Sequence, residues 1–170
     1  MKRPSSTVKR TMQLSTILGA SLVAVAYAIL PTINLGSIGY PHGSRFVAWS
    51  PFTPTTTQEL VEVCDKRGAI KGTATWTEIR VYETYVFDPI CRNPFNITDD
   101  ATNTTYRNLE LACVDDNVPL YAMPEVTAVV DRTTNKTVET CVPVLKDGKE
   151  FRSLCSGSIV SMSFGWVCSA

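Results

Sequence analysis

Apolar residues recur at every second position through much of the second half of the chain, a period typical of strands with one buried face. The clearest segment is 160–166, where four large apolar side chains alternate with small or polar residues. Similar short segments, separated by turn residues, lie at 73–87, 109–113, 126–130, 137–145 and 150–154. Helical spacing is confined to 56–66, where Leu60, Val61 and Cys64 share one face and Thr57 is the expected N-cap. The pattern predicts an all-β fold, a single antiparallel β-sandwich or barrel, with at most one short helix near residues 56–66.

The N-terminal segment has a different pattern, with a basic stretch followed by an uncharged apolar run at 14–30. Ala26-Tyr27-Ala28 matches a signal-peptide cleavage site, which favours removal of residues 1–28. An uncleaved signal anchor is the alternative, although Ser, Thr and Gly dilute the roughly 20 apolar residues that a spanning helix needs. Translation from Met1 and from Met12 both remain open. Either interpretation places the rest of the chain on the lumenal or extracellular side, and cleavage makes the protein secreted.

Within residues 29–58, the segment 33–58 is rich in Gly, Pro, Ser and Thr and has one short apolar island at 46–49. This composition predicts a flexible linker or arm. Trp49 and Phe52 support the alternative of a docking arm. The disulfide-bonded β domain is accordingly predicted to cover residues 59–170.

Composition sharpens this division of the chain. Sixteen basic residues balance 16 acidic ones, but residues 1–28 contain four basic residues and no carboxylate. The remainder has 12 basic and 16 acidic residues, a net charge of −4. That charge excludes a basic nucleic-acid-binding protein.

All of the cysteines follow the N-terminal segment, and an even number in a secreted chain predicts three disulfides. They are Cys64, Cys91, Cys113, Cys141, Cys155 and Cys168. Asp147-Gly148 is a strong hairpin signal. A two-residue loop leaves Cys155 on the opposite face from Cys141, whereas a three-residue loop over 147–149 sets the two cysteines directly across from each other. We favour the second geometry and a Cys141–Cys155 disulfide.

Three sequons indicate a glycoprotein of the secretory pathway. Asn96 and Asn103 lie in the polar stretch 93–108, and Asn135 lies in the polar stretch 131–137. Such stretches are typical of surface loops, where a glycan can be attached.

Candidate chemistry is sparse. The single histidine, His42, falls in the predicted arm, so a histidine-based nucleophilic mechanism lacks a base within the domain. Cysteine and histidine spacing matches no metal site, and no cofactor motif is found. We therefore expect no enzymatic activity, no metal and no cofactor. Trp76 and Tyr82 are the candidate binding residues, because an aromatic side chain on the outer face of a strand can anchor an interface.

Several residues carry a resemblance to a known family. Cys64 is followed by a strand of the form W-x-x-I-x-x-Y at 76–82, a further strand ends at Cys113, and the pattern C-x(6)-G-x-x-F-x-x-x-C-x-G covers 141–157. These features resemble the secreted fungal β-barrel family typified by the major allergen of Alternaria. The resemblance implies a single antiparallel barrel without enzymatic activity, a homodimer formed through Cys64, an internal Cys141–Cys155 bridge, and a role as elicitor, effector or allergen. The sixth cysteine, Cys168, and the insertion after Cys91 depart from that pattern.

These observations predict a secreted, non-enzymatic, cysteine-rich glycoprotein that binds a host or cell-surface protein, as a fungal effector does. A type II single-pass membrane glycoprotein with a structural or assembly ectodomain is the alternative. In that alternative the uncleaved N-terminal segment supplies the membrane contact.

Overall fold

The computed structural model describes residues 30–65, 76–83, 86–87, 89–118, 123–157 and 159–170, with the backbone alone for 81–83 and 86–87. The predicted signal peptide or anchor, residues 1–28, lies outside these ranges and stays a prediction. Among the described residues, no helix is both long enough and apolar enough to cross a membrane.

The described chain forms antiparallel strands and one short helix, which confirms the predicted fold class. The elements are β1 (Ile33–Tyr40), β2 (Gly43–Trp49), α1 (Thr57–Asp65), β3 (Thr77–Glu83), β4 (Val86–Phe87), β5 (Phe95–Asp99), β6 (Thr104–Cys113), β7 (Val126–Asp131), β8 (Lys136–Pro143), β9 (Leu145–Lys146), β10 (Lys149–Leu154) and β11 (Ser161–Ser169). The main path through the sheet is β4-β3-β2-β1-β11-β8-β7-β6-β5, with β10 pairing both β11 and β9. Strand β5 also lies against β2 and β3, so the sheet curls into a nearly closed barrel.

The prediction of a flexible arm at 29–58 is wrong, because this segment supplies two strands in the middle of the sheet. β1 pairs with β2 on one side and with β11 on the other. The island 46–49 is fully buried, with no residue more than 1% exposed. A short run of consecutive apolar residues is typical of a strand buried on both faces, and that feature outweighs the Gly- and Ser-rich composition around it.

Gly36 shows why small residues occur in this central strand. A Cβ atom at Gly36 would lie 2.5 Å from the carbonyl oxygen of Ser163 and 3.2 Å from the ring of Trp49. The pairing of β1 with β11 shifts at this point, between Leu35 and Gly36. Glycine therefore lets β11 and the Trp49 ring approach the β1 backbone closely.

Helix α1 starts at a capping box, one residue earlier than the predicted cap at Thr57. The hydroxyl of Thr56 accepts a hydrogen bond from the amide of Glu59 at 3.2 Å, and the Glu59 carboxylate accepts one from the amide of Thr56 at 3.0 Å. The amide and hydroxyl of Thr55 also donate to this carboxylate. These bonds, led by the Thr55 amide, lower the pKa of Glu59. The cap fixes the start of the helix that covers one face of the sheet.

Two clusters of buried side chains lie on opposite faces of the central strands. The barrel core fills the inside and includes Ile33, Leu35, Phe46, Leu111 and Val129. The second cluster, here called the helix-side core, lies under α1 and β10 and includes Val47, Trp49, Leu60, Phe151 and Phe164. Strands β1, β2 and β11 contribute to both cores, because their side chains alternate between the two faces and each face is covered.

Three disulfides use all six cysteines, but the favoured Cys141–Cys155 pairing is wrong. Cys141 of β8 lies directly across from Cys168 of β11 and bonds to it, with 4.0 Å between the Cα atoms. The β9–β10 hairpin has the two-residue loop 147–148, the geometry that separates Cys155 from Cys141. Both loop residues have positive φ, 53° and 72°, as a type I′ turn requires.

The remaining cysteines form the pairs Cys91–Cys113 and Cys64–Cys155. Cys64 therefore bonds within the chain, and the homodimer through Cys64 that the resemblance implied is not supported. The Cys64–Cys155 disulfide joins the end of α1 to the residue that follows β10, across 91 positions of sequence. It ties the helix to the sheet, and both of its cysteines belong to the helix-side core.

Candidate binding surfaces

A shallow depression surrounds the Cys64–Cys155 disulfide and combines aromatic, sulfur and acidic groups. Its volume is about 260 Å³, and its described lining consists of Tyr40, Cys64, Asp65, Trp76, Cys155, Ser156 and Val160. The side chain of Asp65 accepts a hydrogen bond from the amide of Ser156, which fixes the chain next to Cys155. We call this feature the disulfide depression.

Trp76, one of the two predicted binding residues, forms one wall of the depression. Its indole is partly buried against the helix-side core, and its Nε1 donates a hydrogen bond to the carbonyl oxygen of Val63 at 2.7 Å. The ring is therefore held at a fixed position while part of it stays accessible. Tyr82, the other predicted residue, lies in β3 opposite Ser44, but its side chain falls outside the described part of the structure.

Tyr40 contributes a second aromatic ring to the depression. It ends β1 at the turn to β2 and is 36% exposed. The guanidinium carbon of Arg45 lies 5.3 Å from the centroid of its ring, a cation–π distance, and Arg45 also pairs with the carboxylate of Glu78. Sequence reasoning missed Tyr40 because the surrounding segment was assigned to a flexible arm. Its position beside Pro41-His42-Gly43, a turn sequence, was the available indication of a hairpin.

A separate apolar cleft opens where the sheet forks. The first half of β11 pairs with β10 and its second half pairs with β8. The two partner strands separate from each other at the middle of β11, and the cleft lies at that point. The cleft has a volume of about 200 Å³ and is lined in the described structure by Ser37, Met123, Pro143, Val144, Leu145, Glu150, Ser163, Phe164, Gly165 and Trp166. We call it the fork cleft. It has no lining residue in common with the disulfide depression among the described residues.

All three sequon asparagines are exposed in the structure. Asn103 and Asn135 lie in the turns of the β5–β6 and β7–β8 hairpins and have positive φ, 55° and 54°, a conformation that Asn tolerates. These two turns lie at the same end of the sheet, because β5 to β8 are consecutive antiparallel neighbours. Asn96 instead lies within β5, where a loop was expected, and its side-chain oxygen accepts a hydrogen bond from the amide of Asn108 at 3.0 Å. Exposure makes each site accessible, and use of the sites stays a prediction.

Glu139 is a buried ionisable residue that the sequence analysis did not single out. It lies in β8, 1% exposed, and neither carboxyl oxygen has a hydrogen-bond partner in the described structure. Burial raises the pKa of Glu139 to about 8, although the nearby backbone amide of Ile33 favours the charged form. The available indication was its position two residues before Cys141. A half-buried strand places residues two apart on one face, and disulfide cysteines are usually buried.

Three residues of types that can bind metal ions lie together beside the Cys91–Cys113 disulfide, but they do not form a metal site. Cys91, Cys113 and Asp116 place one ligand atom each within 4.8 Å of one another. The two sulfur atoms are bonded to each other, so they offer no thiolate to a metal. Asp116 pairs with Arg92 at 3.1 Å, and Arg92 also pairs with Glu110 at 2.7 Å. This group is an ion-pair network beside a disulfide.

The fold and these surfaces define a class, a small antiparallel β-barrel stapled by three disulfides, with the disulfide depression and the fork cleft among its described residues. Comparisons with protein family models, curated proteins and solved structures find no match to the chain. The resemblance to the fungal barrel family therefore stays a prediction.

Proposed function

We propose that this chain is a secreted glycoprotein that acts by binding, an effector-like protein that engages a host or cell-surface protein through the disulfide depression. One observation carries the proposal. Two accessible aromatic rings, Tyr40 and Trp76, lie in one depression whose frame is cross-linked by Cys64–Cys155. Aromatic anchors in a concave surface are the usual centre of a protein–protein interface.

The frame around these rings supports the same function. The Trp76 hydrogen bond to Val63 and the disulfide hold the aromatic side chains before a partner arrives. A preorganised surface loses little conformational entropy on binding, so more of the contact energy appears as affinity. The pairing of Arg45 with both Tyr40 and Glu78 limits the movement of the exposed ring in the same way.

Exposed apolar residues next to the depression extend the surface. Leu154 and Ile159 flank the segment that contains Cys155 and are 64% and 78% exposed. Single exposed apolar residues are common, but a group beside an aromatic depression favours an interface. The partner that fits this surface is a protein with an apolar protrusion.

The test uses protein secreted after expression of the full chain. Host cell-surface proteins are captured by chemical cross-linking and identified, and the affinity of the purified partner is then measured by surface plasmon resonance. We expect Tyr40→Ala to weaken binding at least about tenfold, as loss of a central aromatic anchor does. Val142→Ala is the matched control, because Val142 is 56% exposed on β8, away from the depression.

Equal affinity of wild type, Tyr40→Ala and Val142→Ala for the captured protein would contradict the proposed site. Equal loss in both variants would indicate a change in the fold, so each variant is first compared with wild type by thermal unfolding. Trp76 is left unchanged in this test because its indole also packs against the helix-side core.

A further inference from the structure

We propose that the fork cleft is a binding site for a small aromatic molecule that carries one hydrogen-bonding group, a ligand of the phenol class. This inference concerns a different surface from the one that supports the proposed function. Its basis is the shape of the cleft, its apolar walls and a pair of hydroxyl groups in its lining.

The cleft is built into the topology of the sheet. β8 leaves β11 after Pro143, and the amide of Val144 donates a last hydrogen bond to the carbonyl oxygen of Gly165 at 2.8 Å. Beyond that point β10 takes over as the partner of β11. Glycine at 165 adds to the opening, because a Cβ atom there would meet the Leu35 carbonyl oxygen at 3.7 Å and no other heavy atom within 4 Å.

The volume sets the size of the ligand. At about 200 Å³, the cleft is slightly larger than an apolar cavity of about 150 Å³ that accepts benzene in another protein. One six-membered ring with one or two small substituents therefore fits. The Phe164 ring is buried in the helix-side core, but Trp166 and the 45% exposed Met123 in the lining offer an aromatic group and a thioether that suit such a ring.

The polar groups set the chemistry. Ser37 of β1 and Ser163 of β11 are directly opposite each other in the sheet, and both line the cleft. Neither side-chain hydroxyl has a hydrogen-bond partner in the part of the chain that the structure describes. A phenolic hydroxyl both donates and accepts, so it can bond to such a pair where a hydrocarbon leaves both serines unpaired. Glu150, also in the lining, favours a ligand that donates a hydrogen bond.

The probe pair is p-cresol and toluene, which share the methyl-substituted ring and differ by the hydroxyl. Binding to the secreted protein is followed by two-dimensional amide NMR titration. We expect saturable p-cresol binding with a Kd near or below about 1 mM, with shifts centred on β11 and the 143–145 segment. We expect Ser163→Ala to weaken p-cresol about fivefold, the value of one neutral hydrogen bond, and to leave toluene affinity unchanged.

Gly165→Ala places a methyl group at the cleft and should weaken both probes. Leu145→Ala removes part of an apolar wall and should also weaken both probes. Because Leu145 is 64% exposed, this variant should fold normally, and it replaces Gly165→Ala in the test if that variant is unstable. Ser169→Ala, at the exposed end of the same strand, is the matched control and should bind as wild type does. Tyr40→Ala should also bind p-cresol normally, which separates this test from the test of the proposed function.

No saturable binding of p-cresol up to its solubility limit would overturn the proposal. Binding that Ser163→Ala, Gly165→Ala and Leu145→Ala all leave unchanged would overturn it as well, because the probe would then lie elsewhere.

Discussion

Replacing Glu139 with glutamine should remove a large pH dependence from the stability of this protein. The Glu139 carboxyl is 1% exposed, without a hydrogen-bond partner in the described structure, and its β7 neighbour across the ladder is Val129. Because a buried carboxyl without a partner disfavours its charged form, burial raises its pKa from an ordinary value of 4.5 to about 8. Glutamine has nearly the same shape and stays neutral at every pH.

The sign and size follow from proton linkage. Between pH 4.5 and about 8 the unfolded chain has lost the Glu139 proton, whereas the folded protein still holds it. The stabilising effect of the neutral carboxyl is complete below pH 4.5 and is lost as the pH rises through 8. Each pH unit in this window lowers the free energy of unfolding by about 1.4 kcal/mol, to a total of at most about 5 kcal/mol. That total is comparable with the whole stability of many domains.

The assay is urea unfolding at pH 5, 6, 7 and 8, with the disulfides intact and tryptophan fluorescence as the readout. We expect the free energy of unfolding of wild type to fall relative to that of Glu139→Gln by about 1.4 kcal/mol per unit. Glu125→Gln, at an exposed position, is the matched control and should follow wild type. Parallel curves for wild type and Glu139→Gln over pH 5–8 would refute the reasoning, since they would mean that the folded protein holds Glu139 charged without penalty.

Three further predictions concern the covalent structure and the packing. Peptide mass spectrometry without reduction should find Cys141–Cys168 and its two companion disulfides, and a Cys141–Cys155 peptide would contradict the β8–β11 register. Gly36→Ala should lower the free energy of unfolding by about 1–3 kcal/mol, because the new Cβ atom would overlap the Ser163 carbonyl, whereas Gly165→Ala should cost much less in the same urea assay. N-terminal sequencing of protein from the medium should start at residue 29 or beyond, while retention of residues 2–10 in a membrane pellet would support the type II alternative.

The strands that were predictable from sequence are those in which large apolar residues alternate with small or polar ones, and β11 shows this pattern although both of its faces are covered. In β11, Met162 and Phe164 are buried as their alternation indicates. The same reasoning failed for β1 and β2, because the run 46–49 is apolar throughout and the Gly and Ser residues around it resemble a linker. Gly36 reads as a flexible position in the sequence, whereas in the fold the Ser163 carbonyl and the Trp49 ring leave no room there for a Cβ atom.

The sites were less predictable because they depend on contacts between distant segments. Cys168 bonds to Cys141 only because β11 lies next to β8, a neighbour relation that no local pattern contains. Glu139 is a residue type that usually faces solvent, and only its spacing of two from the buried Cys141 indicates the opposite. The fork cleft likewise forms only because β8 and β10 both pair with β11, a relation between distant segments of the chain.

The pairing of β1, the first described strand, with β11, the last, places the two ends of the barrel domain next to each other. Ile33 lies opposite Cys168, so the polypeptide enters and leaves the barrel side by side, at the end that carries the Asn103 and Asn135 turns. A fused domain or a solid support attached directly before Ile33 or after Ser169 would therefore hold the molecule at that same end. The β1–β2 turn at 41–42, at the far end of β1, would then face outward, towards whatever approaches from solution.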